Sequence, residues 1–185
     1  MTILPREFYS KDTVDVARNL IGKKIIRKIG THQLSGTITE TEAYKHEDDP
    51  ASHAFHRITE RNKIMFGNVG SAYVYFTYGM HYCFNVVARD STTAAGAVLI
   101  RAIRPENGIA IMQENRGNVS LKNLVNGPAK IAQALAITKE QYGFDLTKNS
   151  KLHLSEGINP KEITASPRIG ITKATDRLWN FKMQS

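Results

Sequence analysis

Along the chain, hydrophobic and polar residues alternate in several short segments and follow a helical period in a few others. Ser10 is a candidate N-cap for a helix to about Ile21, with Val14, Ala17, Leu20 and Ile21 as its apolar stripe and Gly22 as its stop. Lys23 to Arg27 and Leu34 to Tyr44 read as strands with a Gly-containing turn between them. Lys45 to Arg61 is polar and irregular, with Pro50 and three histidines. Ala72 to Tyr78 reads as a strand, Gly79-Met80 as a turn, and Tyr82 to Ala88 as a returning strand. Ala97 to Ile103 is another strand. Pro105 is expected to open a helix, and Gly127-Pro128 a second one with Ile131 and Leu135 on one face. The last roughly forty residues read as short strands and loops. Strands first and helices after point to an α+β or mixed domain.

One predicted strand carries unusual side chains. In T-E-T-E-A-Y, Thr39 to Tyr44, alternation sets Glu40, Glu42 and Tyr44 on one face and Thr39, Thr41 and Ala43 on the other. Two carboxylates and an aromatic make a poor hydrophobic face but a plausible wall for a reactive site.

Charge adds a direction. The chain has 185 residues, with 25 Lys and Arg against 17 Asp and Glu, a net +8 that favours a polyanionic partner, nucleic acid first. The length fits one domain, residues 1–185. The single cysteine, Cys83, excludes an intramolecular disulfide and a multi-cysteine zinc site. Met1 to Pro5 lacks the regions of a signal peptide, and no apolar run is long enough to span a bilayer. A soluble protein of the cytoplasm or bacterial nucleoid is expected, or of the nucleus in a eukaryote.

Three further segments carry candidate chemistry. In Y-V-Y-F-T-Y-G-M-H-Y, four tyrosines fall within Tyr73 to Tyr82 beside a glycine turn. They are hard to bury together, because each buried hydroxyl wants a partner, and an exposed aromatic at a hairpin tip can wedge between bases. The loop H-E-D-D-P-A-S-H-A-F-H, His46 to His56, reads either as a metal site or as a solvated acidic loop. Its spacing matches no zinc pattern, so stacking or hydrogen bonding by a single histidine is preferred and no metal is assigned. In V-L-I-R-A-I-R-P, Val98 to Pro105, Arg101 shares a face with Leu99 and needs a partner if desolvated, for which Glu42 is a candidate.

Taken together, these strings resemble the alkyladenine (3-methyladenine) DNA glycosylases of the mammalian type. The matching elements are T-E-T-E-A-Y, His53 eleven residues after Glu42, Y-V-Y-x-x-Y-G-M, Asn85, V-L-I-R-A-I-R-P, N-G-P-A-K with Q-A-L-A-I, and P-R-I-G-I at Pro167 to Ile171. They occur in the family's order and cover nearly the whole chain. The ending L-W-N-F-K-M-Q-S departs from the family's closing pattern and is expected to lie away from the site.

The resemblance implies a single mixed α+β domain with a curved antiparallel sheet, flanking helices and a protruding, DNA-inserting β-hairpin. It implies removal of alkylated or deaminated purines from double-stranded DNA by a monomer that needs no cofactor. Glu42 would be the general base, Arg101 would position its water, and Glu40 would be a supporting charge one step deeper. Tyr44, His53, Tyr75, Asn85 and Leu99 would form the base pocket, with Asn85 excluding guanine by crowding or opposing its amine. Electron-rich rings would also attract a cationic lesion such as 3-methyladenine. Tyr78, with Met80 and His81, would fill the gap left by the flipped base, and Lys130 is a candidate phosphate contact. Two other readings stay open: a non-catalytic, structure-specific DNA-binding module, and a metal-dependent nuclease or hydrolase on the His/Asp loop.

Overall fold

The computed structural model describes residues 2–184; both ends of the expected 1–185 domain, and Met1 of the Met1–Pro5 segment, lie outside the described residues. The chain begins with two short helices, α1 (Arg6–Tyr9) and α2 (Thr13–Asn19). Then come β1 (Lys24–Ile29), β2 (His32–Lys45), β3 (Ala72–Thr77), β4 (His81–Val87) and β5 (Gly96–Asn107). Helices α3 (Ile109–Asn115) and α4 (Pro128–Ala134) precede β6 (Leu152–Ser155), β7 (Ile163–Ser166) and β8 (Asn180–Met183).

All the strands join one antiparallel sheet in the order β3-β4-β5-β2-β1-β6, with β8 paired to β2 and β7 to β8. The mixed α+β class and curved antiparallel sheet are therefore as expected. Strand β2 organises the sheet. One edge pairs with β5 along most of its length, while the other pairs first with β1, over 32–37, and then with β8, over 40–42. The β2–β5 register shifts on either side of Glu40, skipping Thr39 on β2 and Arg101 on β5. Such irregularities bend a strand and re-aim its side chains.

Alternation along β2 works as the sequence implies. Ala43 is in the hydrophobic core with Val98 and Ile100 of β5, and the Thr41 hydroxyl donates to the Ala17 carbonyl of α2 at 2.7 Å. Glu42 and Tyr44 project from the opposite side. Among the described residues no helix is long and apolar enough to cross a membrane.

Two element boundaries differ from expectation. Asp12, not Ser10, caps α2, its carboxylate accepting from the Val14 amide at 2.8 Å. Ser10 instead closes α1, and its hydroxyl donates back to the Arg6 carbonyl at 3.1 Å. Gly22 does follow α2, at φ +87°, where a Cβ would lie 2.3 Å from the Ile158 carbonyl oxygen. Pro105 opens no helix. It stays in β5 opposite Gly36, next to a register irregularity where a missing N–H is tolerated, and α3 starts only after Gly108 at φ +72°. Pro128 does open α4 at its first turn, and the C-terminal part is short strands and loops.

Candidate active site

A single transverse row runs beneath the site; its members Tyr73, Asn85 and Leu99 line the cavity, and Glu42 and Asn180 lie behind that lining. Tyr73, Asn85, Leu99, Glu42 and Asn180 are successive cross-strand partners from β3 through β4, β5 and β2 to β8. Residues in register project from one face of a sheet. Above this row lies a cavity of about 380 Å³ lined by Tyr44, His53, Tyr73, Tyr75, Asn85, Leu99 and Arg101, and roofed by Ile169 to Ile171. That volume falls in the range of small-molecule sites.

Glu42 is fully buried. Its Oε2 accepts from the Tyr44 hydroxyl at 2.8 Å and from Arg101 Nη1 at 3.2 Å. Its Oε1 accepts from the Ile169 amide at 2.7 Å and from Asn180 Nδ2 at 3.1 Å. Four donors suit an acceptor-only carboxylate. Arg101 also donates through Nε to Glu40 at 3.1 Å, and Asn180 to Glu40 at 2.9 Å. Glu40 is thus a second partner in the network, but Glu42 is the deeper of the two: the Glu40 side chain keeps 13% of its surface exposed and Glu42 none. This is the reverse of the depth order that the resemblance implies.

The aromatic residues form the walls. Burial, and then Glu42, push the Tyr44 hydroxyl up, so it acts as a neutral donor. Burial does the same to Tyr73 and Tyr75. His53 meets Tyr75 edge to face, with ring centres 4.7 Å apart, and its Nδ1 lies 2.9 Å from the Tyr73 hydroxyl. Crowding among these rings, and then the Arg61 cation, push the imidazole down to about 4. Water still reaches the residue and moderates the shift without reversing it, so the ring is neutral at pH 7. A neutral imidazole has one donor and one acceptor nitrogen. The Asn85 amide nitrogen donates to the Tyr73 carbonyl at 3.1 Å, which fixes its orientation.

The loops are pinned by residues that the strings above did not single out. Asn62 is buried and donates to the carbonyls of His53, at 2.6 Å, and Arg57, at 2.9 Å, so it shapes the loop that carries His53. Arg168 grips Asp49 through two nitrogens at 2.7 and 2.6 Å and donates to the Ala43 carbonyl at 2.9 Å. Its guanidinium lies over the rings of Tyr44 and Trp179. Asp49 is therefore committed to an ion pair, and among the described residues no three His, Cys, Asp or Glu side chains converge on a common point. The C-terminal segment, expected to lie apart from the site, supplies both Trp179 and Asn180 to it. Its role comes from pairing with β2 at long range, which its own pattern does not reveal.

The hairpin separates its four tyrosines. Tyr73 and Tyr75 line the cavity, Tyr82 packs against Phe76 with ring centres 4.9 Å apart, and Tyr78 borders the same cavity while staying 87% exposed. Tyr78 sits in the turn just beyond β3, at φ +52°, followed by Gly79 at φ +67°. A bulky residue in the left-handed region costs about 1–3 kcal/mol, a cost met here at an exposed tip. Met80 is also exposed at 68%, and His81 starts β4. Lys130 lies outside the cavity and donates to Asn126 at 2.7 Å.

Comparison with known proteins matches this arrangement to a family. The family model for methylpurine-DNA glycosylase (MPG) matches residues 7–185. A protein of Carboxydothermus hydrogenoformans, named "Putative 3-methyladenine DNA glycosylase", is 45% identical over 185 residues, covering 99% of this chain and 96% of that protein. Proteins with the same name from Prosthecochloris aestuarii and Clostridium acetobutylicum are 45% and 43% identical, covering 94% and 96% of this chain and 84% and 92% of theirs. With near-complete coverage by both measures, the chain belongs to the methylpurine-DNA glycosylase family.

Proposed function

We propose that the protein excises damaged purines from duplex DNA as a monofunctional glycosylase, hydrolysing the N-glycosidic bond with water activated by Glu42. The observation that carries this reading is a fully buried carboxylate held by Arg101 and Tyr44, two residues that line an aromatic cavity of about 380 Å³, with Glu42 itself just behind that lining. A base inside a duplex is out of reach and must be flipped out, at a cost of a few kcal/mol. Stacking on Tyr44, Tyr75 and His53 returns about 1–3 kcal/mol per aromatic contact. A damaged, weakly paired base costs less to extrude. His53 is suited to hydrogen-bond the purine edge. With its nitrogen committed to Tyr73, Asn85 would exclude guanine by crowding rather than by opposing its amine.

Glu42 already has four donors, so an attacking water must replace one. The Arg101 contact is the longest of them, and Glu40 would keep the guanidinium in place when it yields. The water then gives a proton to Glu42, its oxygen bonds to the sugar C1′, and the base departs with the glycosidic electron pair. Among the described residues no lysine lines the cavity, which supports water rather than an amine as nucleophile.

A duplex with one hypoxanthine or 7-methylguanine, incubated in EDTA, tests the reading. Release of the free base is expected, and activity that dies in EDTA would point to a metal-dependent nuclease instead. Tyr78→Ala should slow excision from duplex by about 5- to 100-fold, the worth of one lost stack. The deficit should shrink when the lesion is in single-stranded DNA, where no gap needs filling. Equal slowing on both substrates would show that Tyr78 is not the wedge.

A further inference from the structure

Both aromatic walls of the cavity carry a guanidinium. The Arg168 Cζ lies 4.6 Å from the centre of the Tyr44 ring, and the Arg61 Cζ lies 4.6 Å from the centre of the Tyr75 ring. The two rings line the cavity and neither arginine does. Each ring thus borders the cavity and is also in contact with a cation that is not part of the cavity lining.

The two arginines differ in charge balance. Arg168 is buried and gripped by Asp49, so its charge is compensated on the spot. Arg61 is exposed, and among the described residues no carboxylate lies in salt-bridge range of it. Resting on the function proposed above, we infer that Arg61 is a specificity determinant that biases the pocket toward neutral purines and against cationic ones.

A ring attracts a cation through its electron-rich face, and Arg61 already draws on the Tyr75 ring. A cationic base stacked on Tyr75 would also be repelled by the nearby Arg61 charge. A neutral base stacks by dispersion and area burial and is affected far less by either term. The attraction of the aromatic walls for cationic lesions is therefore blunted on the Tyr75 side.

The experiment measures single-turnover excision of 7-methylguanine and hypoxanthine from the same duplex sequence at pH 6.0, where 7-methylguanine keeps its N1 proton and is cationic while hypoxanthine is neutral. Spontaneous loss of 7-methylguanine is subtracted. Arg61→Gln is expected to raise the 7-methylguanine to hypoxanthine rate ratio about three- to tenfold, and Arg61→Lys is expected to keep the wild-type ratio. A phosphate contact or simple support of Tyr75 would change both rates by one common factor. Such a common change, or a fall in the ratio, overturns the inference. A Lys variant that behaves like Gln overturns it too. Failure of the wild type to release either base would contradict the glycosylase reading itself, and this inference with it.

Discussion

Glu42→Gln is expected to excise a damaged base about 100- to 10,000-fold more slowly than the wild type, the range lost with a general base, while still binding lesion DNA. The substitution is nearly isosteric, so the cavity shape should survive. The amide oxygen can keep the Ile169 and Asn180 donors. The amide nitrogen would then face Tyr44, whose hydroxyl can turn to accept, and Arg101, which retains Glu40. One mismatched hydrogen bond costs roughly 1–3 kcal/mol of stability, which the fold should tolerate. The measurement is single-turnover excision beside a binding titration on the same duplex. Wild-type excision by the variant would remove Glu42 from the mechanism. Loss of binding together with loss of excision would instead give it a structural role.

Arg168→Ala should cost about 3–5 kcal/mol of folding stability, because it leaves the Asp49 carboxylate buried and unpaired. Both side chains have no exposed surface, and two charge-assisted bonds join them. The loss extends beyond the pair. Arg168 ties the loop through Asp49 to the end of β2 at Ala43, and it places the next residue, Ile169, so that its amide meets Glu42. Excision should therefore fall even at temperatures where the variant remains folded. Urea unfolding of wild type and variant measures the first effect. A loss under about 1 kcal/mol would mean that the pair is solvated in solution, as surface pairs are. Replacing both partners with apolar residues should cost less than Arg168→Ala alone, since no charge is then stranded.

The parts of the site that lie within single strands were legible in the sequence. Period-two alternation placed Glu42 and Tyr44 on the face opposite Thr41 and Ala43, and the same rule placed Leu99 and Arg101 together. What escaped was set by contacts far apart in the chain. Asp49 and Arg168 are 119 residues apart, and Asn180 reaches Glu42 across 138. Arg168 sits within P-R-I-G-I and Asp49 within the acidic loop, but nothing local in either string pairs them, and the unfamiliar ending L-W-N-F-K-M-Q-S gives no sign that Asn180 reaches β2. The register shifts beside Glu40 leave no mark in the pattern of residues, and the depth that the resemblance implies for it is the reverse of the one observed. The propensity of Pro105 favours a helix start, yet the β2 ladder carries β5 past it. Ser10 and Asp12 are both good caps, and only the Asp12–Val14 bond decides between them.

Water directed by a buried carboxylate should break the glycosidic bond and leave the DNA backbone whole. The deciding measurement incubates the protein with a duplex that carries a single hypoxanthine, then runs the strand with and without alkali, and with borohydride present during the reaction. Cleavage at the lesion is expected only after alkali, with no trapped protein–DNA adduct. A strand nicked without alkali, or a covalent adduct captured by borohydride, would contradict it.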